Sequence, residues 1–303
     1  MDIHIFTEVI RCGKIAIQAI ESFHRHHPGL KLNIYVGEDD VDAIPQHENN
    51  ILHVIEKDSE LYQAFDDGHK GTSLLWATLI LELPAAVKKV VHFDSDVIFF
   101  GDAVQDIVRG LEIHDLVGPI RNYVHNPNGR DDVRHLKDVV QTYCFGFSRE
   151  KITMKDIGTL HNWVRGYPVN FPHKVIDFFD PVSFHILYNG GTIGYVGEDE
   201  FGGTNFYGKR TNAYAELNAV FDVGAKIIHF ASVGSGLNFS AMMKERKPIS
   251  VPMSYVKFAI KRYDIYSQLF FGEKILRGEE NDEIVGKMRA YLAAAEAATA
   301  ASS

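Results

Sequence analysis

The sequence predicts an α/β protein in which a mixed, mainly parallel central sheet is flanked by helices, followed by a small C-terminal helical segment. Short apolar segments typical of strands alternate with longer segments of helical periodicity along the N-terminal half. Acidic residues follow two of the predicted strands, as expected where an open sheet binds ligands. A chain of 303 residues can also bury a substantial core.

The first elements follow the order strand, helix, strand. Ile15, Ala19, Ile20 and Phe23 recur at helical spacing, and Pro84 ends a second amphipathic segment that begins at Trp76. The predicted order is strand 2–8, helix 14–26, strand 32–36, strand 51–55, helix 76–84 and strand 90–93.

Beyond residue 100 the pattern is less regular. Strands are predicted at His114–Pro119 and Tyr143–Ser148, while Arg121–His135 is polar and predicts an irregular loop. We predict one domain over residues 1–240 and a helical, basic and aromatic extension over residues 241–303.

The most informative feature is the Asp-x-Asp pair at the end of the strand 90–93. In an extended segment, Asp94 and Asp96 would project on the same side. Two convergent carboxylates are ligands that a hard divalent cation prefers. Asp residues are also common in turns and helix caps, so this spacing alone leaves both interpretations open.

The chain resembles a known family in two blocks. Val91-His-Phe-Asp94-Ser-Asp96-Val-Ile-Phe-Phe-Gly101-Asp102 resembles the Asp-x-Asp block of nucleotide-sugar glycosyltransferases with the GT-A fold. Its ending is similar to that of family 8, which contains glycogenin and bacterial lipo-oligosaccharide galactosyltransferases. Lys226-Ile-Ile-His229-Phe230 resembles the late strand whose histidine completes the metal site in that family.

The resemblance implies a metal-dependent glycosyltransferase that moves a sugar from a UDP-sugar to a glycan, a lipid-linked glycan or another hydroxyl acceptor, with retention. The implied metal ligands are Asp94, Asp96 and His229. Mixed carboxylate and imidazole ligation favours Mn²⁺ over Mg²⁺, although Mg²⁺ stays an alternative.

The resemblance also suggests donor and reaction-centre residues. Asp177 and Asp180 occupy the position of a later acidic group near the reaction centre. The candidate donor-binding residues are Thr7, Asp39, Lys70, Asp94, Ser95, Asp96, Ser232 and Gly234. The chain departs from the family at Cys144-Phe-Gly-Phe147, which replaces an Asn-Ser-Gly strand, and lacks the usual lysine soon after His229.

Two alternatives remain. A sugar-phosphate nucleotidyltransferase would carry a glycine-rich loop with a nearby lysine after the first strand, where this chain has Gly13 alone. A non-catalytic domain that binds a nucleotide sugar or glycan would not need a metal site.

Composition argues against nucleic acid as a partner and indicates the cellular compartment of the protein. A net charge of −9 argues against nucleic-acid binding. Cys12 and Cys144 predict buried free thiols, and no apolar leader or membrane span is visible, so we expect a soluble cytoplasmic enzyme. Basic and aromatic residues after Lys244 predict either contact with an anionic membrane surface or a helical lobe with inward-packed aromatics.

Overall fold

The computed structural model describes residues 2–66, 68–125, 132–161, 179–196, 222–224, 226–278 and 280–302. The strands are β1 (Ile3–Val9), β2 (Leu32–Gly37), β3 (Asn50–Ile55), β4 (Lys89–Phe93), β5 (Val97–Phe99), β6 (Leu116–His125), β7 (Asp132–Val140), β8 (Cys144–Ser148), β9 (Ile193–Val196), β10 (Asp222–Gly224) and β11 (Ile227–His229). The helices are α1 (Gly13–His26), α2 (Glu60–Ala64), α3 (Gly68–Glu82), α4 (Ala103–Gly110), α5 (Met154–His161), α6 (Asp180–Tyr188), α7 (Val233–Lys244), α8 (Met253–Phe270) and α9 (Asp282–Ser302).

The main sheet is mixed and has the strand order β3-β2-β1-β4-β8-β6-β7, with β9 paired to β6. The strands β3, β2, β1 and β4 run parallel to one another. The strand β8 pairs antiparallel with β4 on one side and with β6 on the other, whereas β9 is parallel to β6. This Rossmann-like arrangement confirms the predicted fold class.

Helices cover both faces of the sheet because successive strand residues point in opposite directions. Along β1, Ile5 and Val9 join the core that α1 closes, whereas Phe6 joins the core on the α3 side. Trp76 of α3 is fully buried and stacks on Phe145 of β8, with ring centroids 5.2 Å apart. The carboxyl ends of β1 and β4 are thereby fixed between two packed layers.

A second, smaller sheet places the late part of the chain beside the Asp pair. Its order is β10-β11-β5, and β11 pairs antiparallel with β5 so that His229 lies opposite Val97. The amide of Phe100 also donates to the carbonyl of Lys226 at 2.7 Å. Because β5 directly follows the Asp pair, this pairing brings the histidine block to it.

The segment predicted as a loop over Arg121–His135 forms strands in its described residues, 121–125 and 132–135. Its described residues belong to β6 and β7, which form an antiparallel pair with a register shift between Ile120 and Arg121. The loop prediction was therefore wrong for these residues, because backbone pairing overrode a polar composition that disfavours strands.

The C-terminal helices pack on the rest of the chain. Tyr266 of α8 is fully buried and donates a hydrogen bond from its hydroxyl to the carbonyl of Ile15 in α1 at 2.8 Å. Gly236 of α7 lies so close to α8 that an added Cβ would collide with the carbonyl oxygen of Ala259. The predicted boundary between residues 240 and 241 falls within α7, and the division into two domains stays a prediction.

Most of the aromatic residues suggested for membrane contact point inward. Tyr263 and Tyr266 are buried, and Phe270 and Phe271 pack against the core, whereas Phe258 is 40% exposed. Every helix within the described residues is too short or too polar to cross a membrane. Membrane contact through the exposed remainder stays a prediction.

Candidate metal centre

The Asp pair lies in a turn between β4 and β5. The amide of Val97 donates to the carbonyl of Asp94 at 3.1 Å, as in a four-residue β-turn, and the amide of Asp94 donates to the carbonyl of Tyr143 at 2.8 Å. The carboxylates of Asp94 and Asp96 therefore converge through a tight turn, and the predicted extended conformation was wrong.

Three side chains come together at this turn. The Nε2 atom of His229 lies 3.4 Å from Oδ2 of Asp94 and 3.2 Å from Oδ1 of Asp96. The possible ligand atoms of these three residues all lie within 4.8 Å of one another. The structure thus assembles the predicted ligand set from two distant parts of the chain.

The donor set fits a divalent cation. Two ligands about 2.1 Å from an octahedrally coordinated ion lie about 3 Å apart, which is close to the observed separations. The Asp96 side chain is 13% exposed and that of Asp94 is 37% exposed. Asp94 therefore has the greater access to an incoming ligand, while Asp96 forms the inner part of the cluster.

The imidazole of His229 has a defined orientation. Its ring stacks on Tyr143, with centroids 4.4 Å apart and an angle of 22° between the planes. The amide of Phe230 donates to the carbonyl of Asp96 at 3.0 Å, which joins the backbone on both sides of the cluster. Backbone pairing and ring stacking thus hold Nε2 toward the two carboxylates.

A second acidic group reaches the centre from β1. The carboxylate oxygen Oε2 of Glu8 lies 2.7 Å from Nε2 of His92, and this nitrogen lies 3.8 Å from Oδ1 of Asp94. His92 is almost fully buried, and its Nδ1 lies 3.3 Å from the carbonyl oxygen of Thr142. Glu8, His92 and Asp94 therefore extend the cluster toward the α3 face of the sheet.

The surroundings shift the pKa values of two groups in this cluster toward the protonated form. Although part of the Asp94 side chain is exposed, partial desolvation by the surrounding protein raises the pKa of its carboxyl above the usual range. Its hydrogen bond to His229 and the charges of His92 and His229 oppose this effect. Burial lowers the pKa of His92, but the neighbouring charge of Glu8 and its hydrogen bond outweigh this effect and raise the pKa. A divalent cation would compete with these protons.

Near the centre, Thr7 is buried and Ser95 is half-buried. Thr7 is fully buried, on the same face of β1 as Ile5 and Val9, and its Oγ1 has no hydrogen-bond partner among the described residues. The Ser95 hydroxyl lies 3.3 Å from the thiol of Cys12, whose pKa burial raises to about 12. Contacts of Thr7 and Ser95 with the donor stay predictions. The burial of Thr7 does not favour such a contact for that residue.

Two of the acidic residues after β2, Asp39 and Asp40, have partners within the protein. Asp39 accepts hydrogen bonds from Lys57 and from the Tyr62 hydroxyl, both at 3.0 Å. The carboxylate of Asp40 accepts from the amide of Gly13 at 3.0 Å, and therefore stabilises the first turn of α1. The role predicted for Asp39 in donor binding stays a prediction.

The other basic and small residues proposed for donor binding lie at helix starts. Lys70 is exposed in the first turn of α3. Ser232 directly precedes α7 with a φ of 68°, and its hydroxyl lies 3.4 Å from that of Tyr255. Gly234 lies in the first turn of α7, where an added Cβ would meet nothing within 4 Å. The amides at such a helix start lack carbonyl partners within the helix and favour anions.

The candidate reaction-centre carboxylates are less well placed. Asp180 is buried in the first turn of α6, directly after Phe179, whose ring lies 4.7 Å from that of Phe145. Among the described residues, two sets of side chains bring possible metal ligands together around Asp94, and Asp180 belongs to neither. Asp177 lies outside the described residues.

His92 is the main site residue that the sequence prediction did not include. It stands two positions before Asp94, so the alternation along β4 was the signal that could have identified it. Cys12 and Cys144 are both free and buried, as predicted.

Neither a protein-family model nor a curated protein sequence matches the chain. Among solved structures, the chain is similar to 4-diphosphocytidyl-2C-methyl-D-erythritolsynthase from Anaerococcus prevotii DSM 20548, with a TM-score of 0.38 and 12% identity. The match covers 64% of this chain and 87% of that one. A similarity at this level carries no conclusion about function.

Proposed function

We propose that the protein is a metal-dependent glycosyltransferase that transfers a sugar from a UDP-sugar to a glycan or another hydroxyl acceptor, with retention. The observation that carries the proposal is the convergence of Asp94, Asp96 and His229 within 4.8 Å at the carboxyl end of a central strand. In open α/β sheets, ligands bind at this end of the strands. The resemblance to GT-A enzymes of family 8 supports the same assignment.

In this proposal, Asp94, Asp96 and His229 hold Mn²⁺, with Mg²⁺ as the alternative. A bound cation would supply Lewis-acid stabilisation for the diphosphate that leaves when the glycosidic bond of the donor breaks. Tyr143 and the β5–β11 pairing hold His229 in place before the cation arrives. The protein therefore does not have to order this ligand during binding.

The start of α7 provides a second feature that suits a diphosphate. It follows His229 by only a few residues, so Ser232 and Gly234 lie on the chain directly after the metal cluster. The first-turn amides of α7 can donate hydrogen bonds to phosphate oxygens. They are candidates to replace the lysine that family 8 has in this region.

Product identity separates the proposed activity from the alternatives. The protein is incubated with Mn²⁺ and a panel of UDP-sugars in one series, and with nucleoside triphosphates and sugar phosphates in another. We expect release of UDP in the first series, with metal dependence that disappears in Asp96→Asn. Release of pyrophosphate in the second series would instead identify a nucleotidyltransferase, and donor binding without either product would identify a binding domain.

A further inference from the structure

We propose that Glu8, His92 and Asp94 form a second divalent-cation site that shares Asp94 with the first. The two oxygens of Asp94 face different imidazoles: Oδ1 lies 3.8 Å from Nε2 of His92, and Oδ2 lies 3.4 Å from Nε2 of His229. The possible ligand atoms of Glu8, His92 and Asp94 lie within 4.8 Å of one another, as those of the first site do. Asp94 is therefore placed to bridge two cations.

The orientation of His92 supports this assignment. Its Nδ1 lies 3.3 Å from the carbonyl oxygen of Thr142, which can only accept a hydrogen bond. Histidines that bind metals usually donate their second ring N–H to such a group. With Nδ1–H donating to the carbonyl of Thr142, Nε2 is the ring nitrogen that faces Oε2 of Glu8, at 2.7 Å. A cation bound here would replace the proton that these two atoms otherwise share.

The surroundings fix the ring of His92 in this position. Its ring centroid lies 4.9 Å from that of Trp76 and 5.0 Å from that of Phe6. The side chain of Glu8 is 13% exposed, so the position between Glu8 and Asp94 is shielded yet reachable from the more exposed Asp94. An apolar wall beside the carboxylates strengthens their attraction for a cation.

Two carboxylates and one imidazole suit the same class of cation as the first site, and we assign Mn²⁺. Cations that share a carboxylate in this way lie about 3.5–4 Å apart in two-metal enzymes. The inference rests on the proposed function, because Asp94 belongs to both sites. The second cation would place additional positive charge beside the phosphates of the donor.

Metal stoichiometry tests the second site without an activity assay. Mn²⁺ binding to the full chain is measured by titration calorimetry, and spin coupling by electron paramagnetic resonance. We expect two equivalents with a coupled signal in the unmodified protein, and one equivalent with an uncoupled signal in Glu8→Gln. The matched control Glu21→Gln changes an exposed glutamate on α1 and should retain two equivalents. Circular dichroism checks folding, and His92→Gln replaces Glu8→Gln if that variant does not fold.

The outcomes separate this inference from the proposed function. One equivalent in the unmodified protein, unchanged by Glu8→Gln, would overturn the second site and leave the first. Two equivalents that persist in both Glu8→Gln and His92→Gln would also overturn it, because the second cation would then bind elsewhere. Absence of Mn²⁺ binding would overturn both sites and with them the metal-dependent function.

Discussion

The imidazole of His229 stacks on the ring of Tyr143, with centroids 4.4 Å apart, while its Nε2 lies 3.2 Å from Asp96. This contact joins three parts of the chain: β11, the turn after β4 and the residue that precedes β8. A nitrogen ligand is thus fixed between two carboxylates by packing that does not depend on a bound cation.

Replacing His229 with glutamine should weaken Mn²⁺ binding by more than about tenfold and reduce the preference for Mn²⁺ over Mg²⁺. Loss of an outer partner of a metal ligand already costs about 10- to 100-fold, and imidazole is the ligand here that favours Mn²⁺. Calorimetric titration with each cation measures both effects. His161→Gln on the exposed end of α5 is the control, and equal affinities in the two variants would contradict the assignment.

The variant Asp96→Asn should lose Mn²⁺-dependent UDP binding. The substitution removes a negative charge from the inner carboxylate while it keeps the size of the side chain, so the cation loses a ligand that a neutral amide replaces poorly. Binding of UDP is measured with and without Mn²⁺. Asp58→Asn makes the same change at an exposed position and should bind UDP as the unmodified protein does. Retention of metal-dependent binding in Asp96→Asn would exclude Asp96 as a ligand.

The order of the early elements and the position of the Asp pair could be predicted from the sequence because both depend on local patterns. The apolar run of β4 and the carboxylates that follow it are contiguous. The pairing of His92 with Glu8 could not be predicted, since it depends on β1 and β4 being neighbours with Phe6 opposite His92. That register is a property of the assembled sheet.

The turn conformation of the Asp pair escaped prediction for a related reason. The carbonyl of Asp94 binds the amide of Val97, while the amide of Asp94 binds the carbonyl of Tyr143. The second bond continues the β4–β8 pairing. Chain direction at Asp94 is therefore set by a strand that occurs much later in the sequence.

Stability should fall in mildly acidic solution because of His27. Its Nδ1–H donates to the carbonyl of Phe23 at 2.9 Å, and its Nε2 accepts from the amide of Val104 at 3.2 Å. Burial lowers the pKa of His27 to about 4, so the folded protein keeps the neutral ring. An unfolded histidine titrates at about 6.5, and the stabilisation is therefore complete above pH 6.5 and is lost as the pH falls toward 4.

The size of this effect can be measured by urea unfolding at pH 7 and pH 5. For one such histidine, the free energy of unfolding should fall by about 2 kcal/mol between these pH values. His27→Gln should lose that part of the pH dependence, whereas the exposed control His161→Gln should keep it. An unchanged pH dependence in His27→Gln would show that other groups cause it.

Any membrane contact should depend on the exposed basic residues near α7 and α8. Lys244 and Lys257 are exposed, close in the chain to the partly exposed Met243 and Phe258. Each basic residue near an anionic surface contributes about 1 kcal/mol. We expect the unmodified protein to float with phosphatidylserine vesicles. The double variant Lys244→Glu, Lys257→Glu should lose this flotation. If the unmodified protein does not float, α7 and α8 would serve only in packing against the rest of the chain.

The buried carboxylate of Asp264 should be essential for the C-terminal structure. Its Oδ1 accepts from the amides of Ile275 and Leu276, at 2.5 and 3.0 Å, and its Oδ2 accepts from Gln268 and Asn281, at 2.8 and 2.6 Å. These donors tie the segment after α8 and the residue before α9 to α8 itself.

Because all four groups are donors, the amide nitrogen in Asp264→Asn would face at least one of them and leave it without an acceptor. We expect a loss of at least about 2 kcal/mol in the free energy of unfolding, measured by urea titration. Asp282→Asn is the matched control, since this exposed carboxylate pairs with Lys274 at the surface and should cost less than about 1 kcal/mol. Equal losses of unfolding free energy in the two variants would show that the buried hydrogen bonds of Asp264 stabilise the protein no more than the exposed ion pair of Asp282 does. Apolar contacts would then be what holds α9 in place.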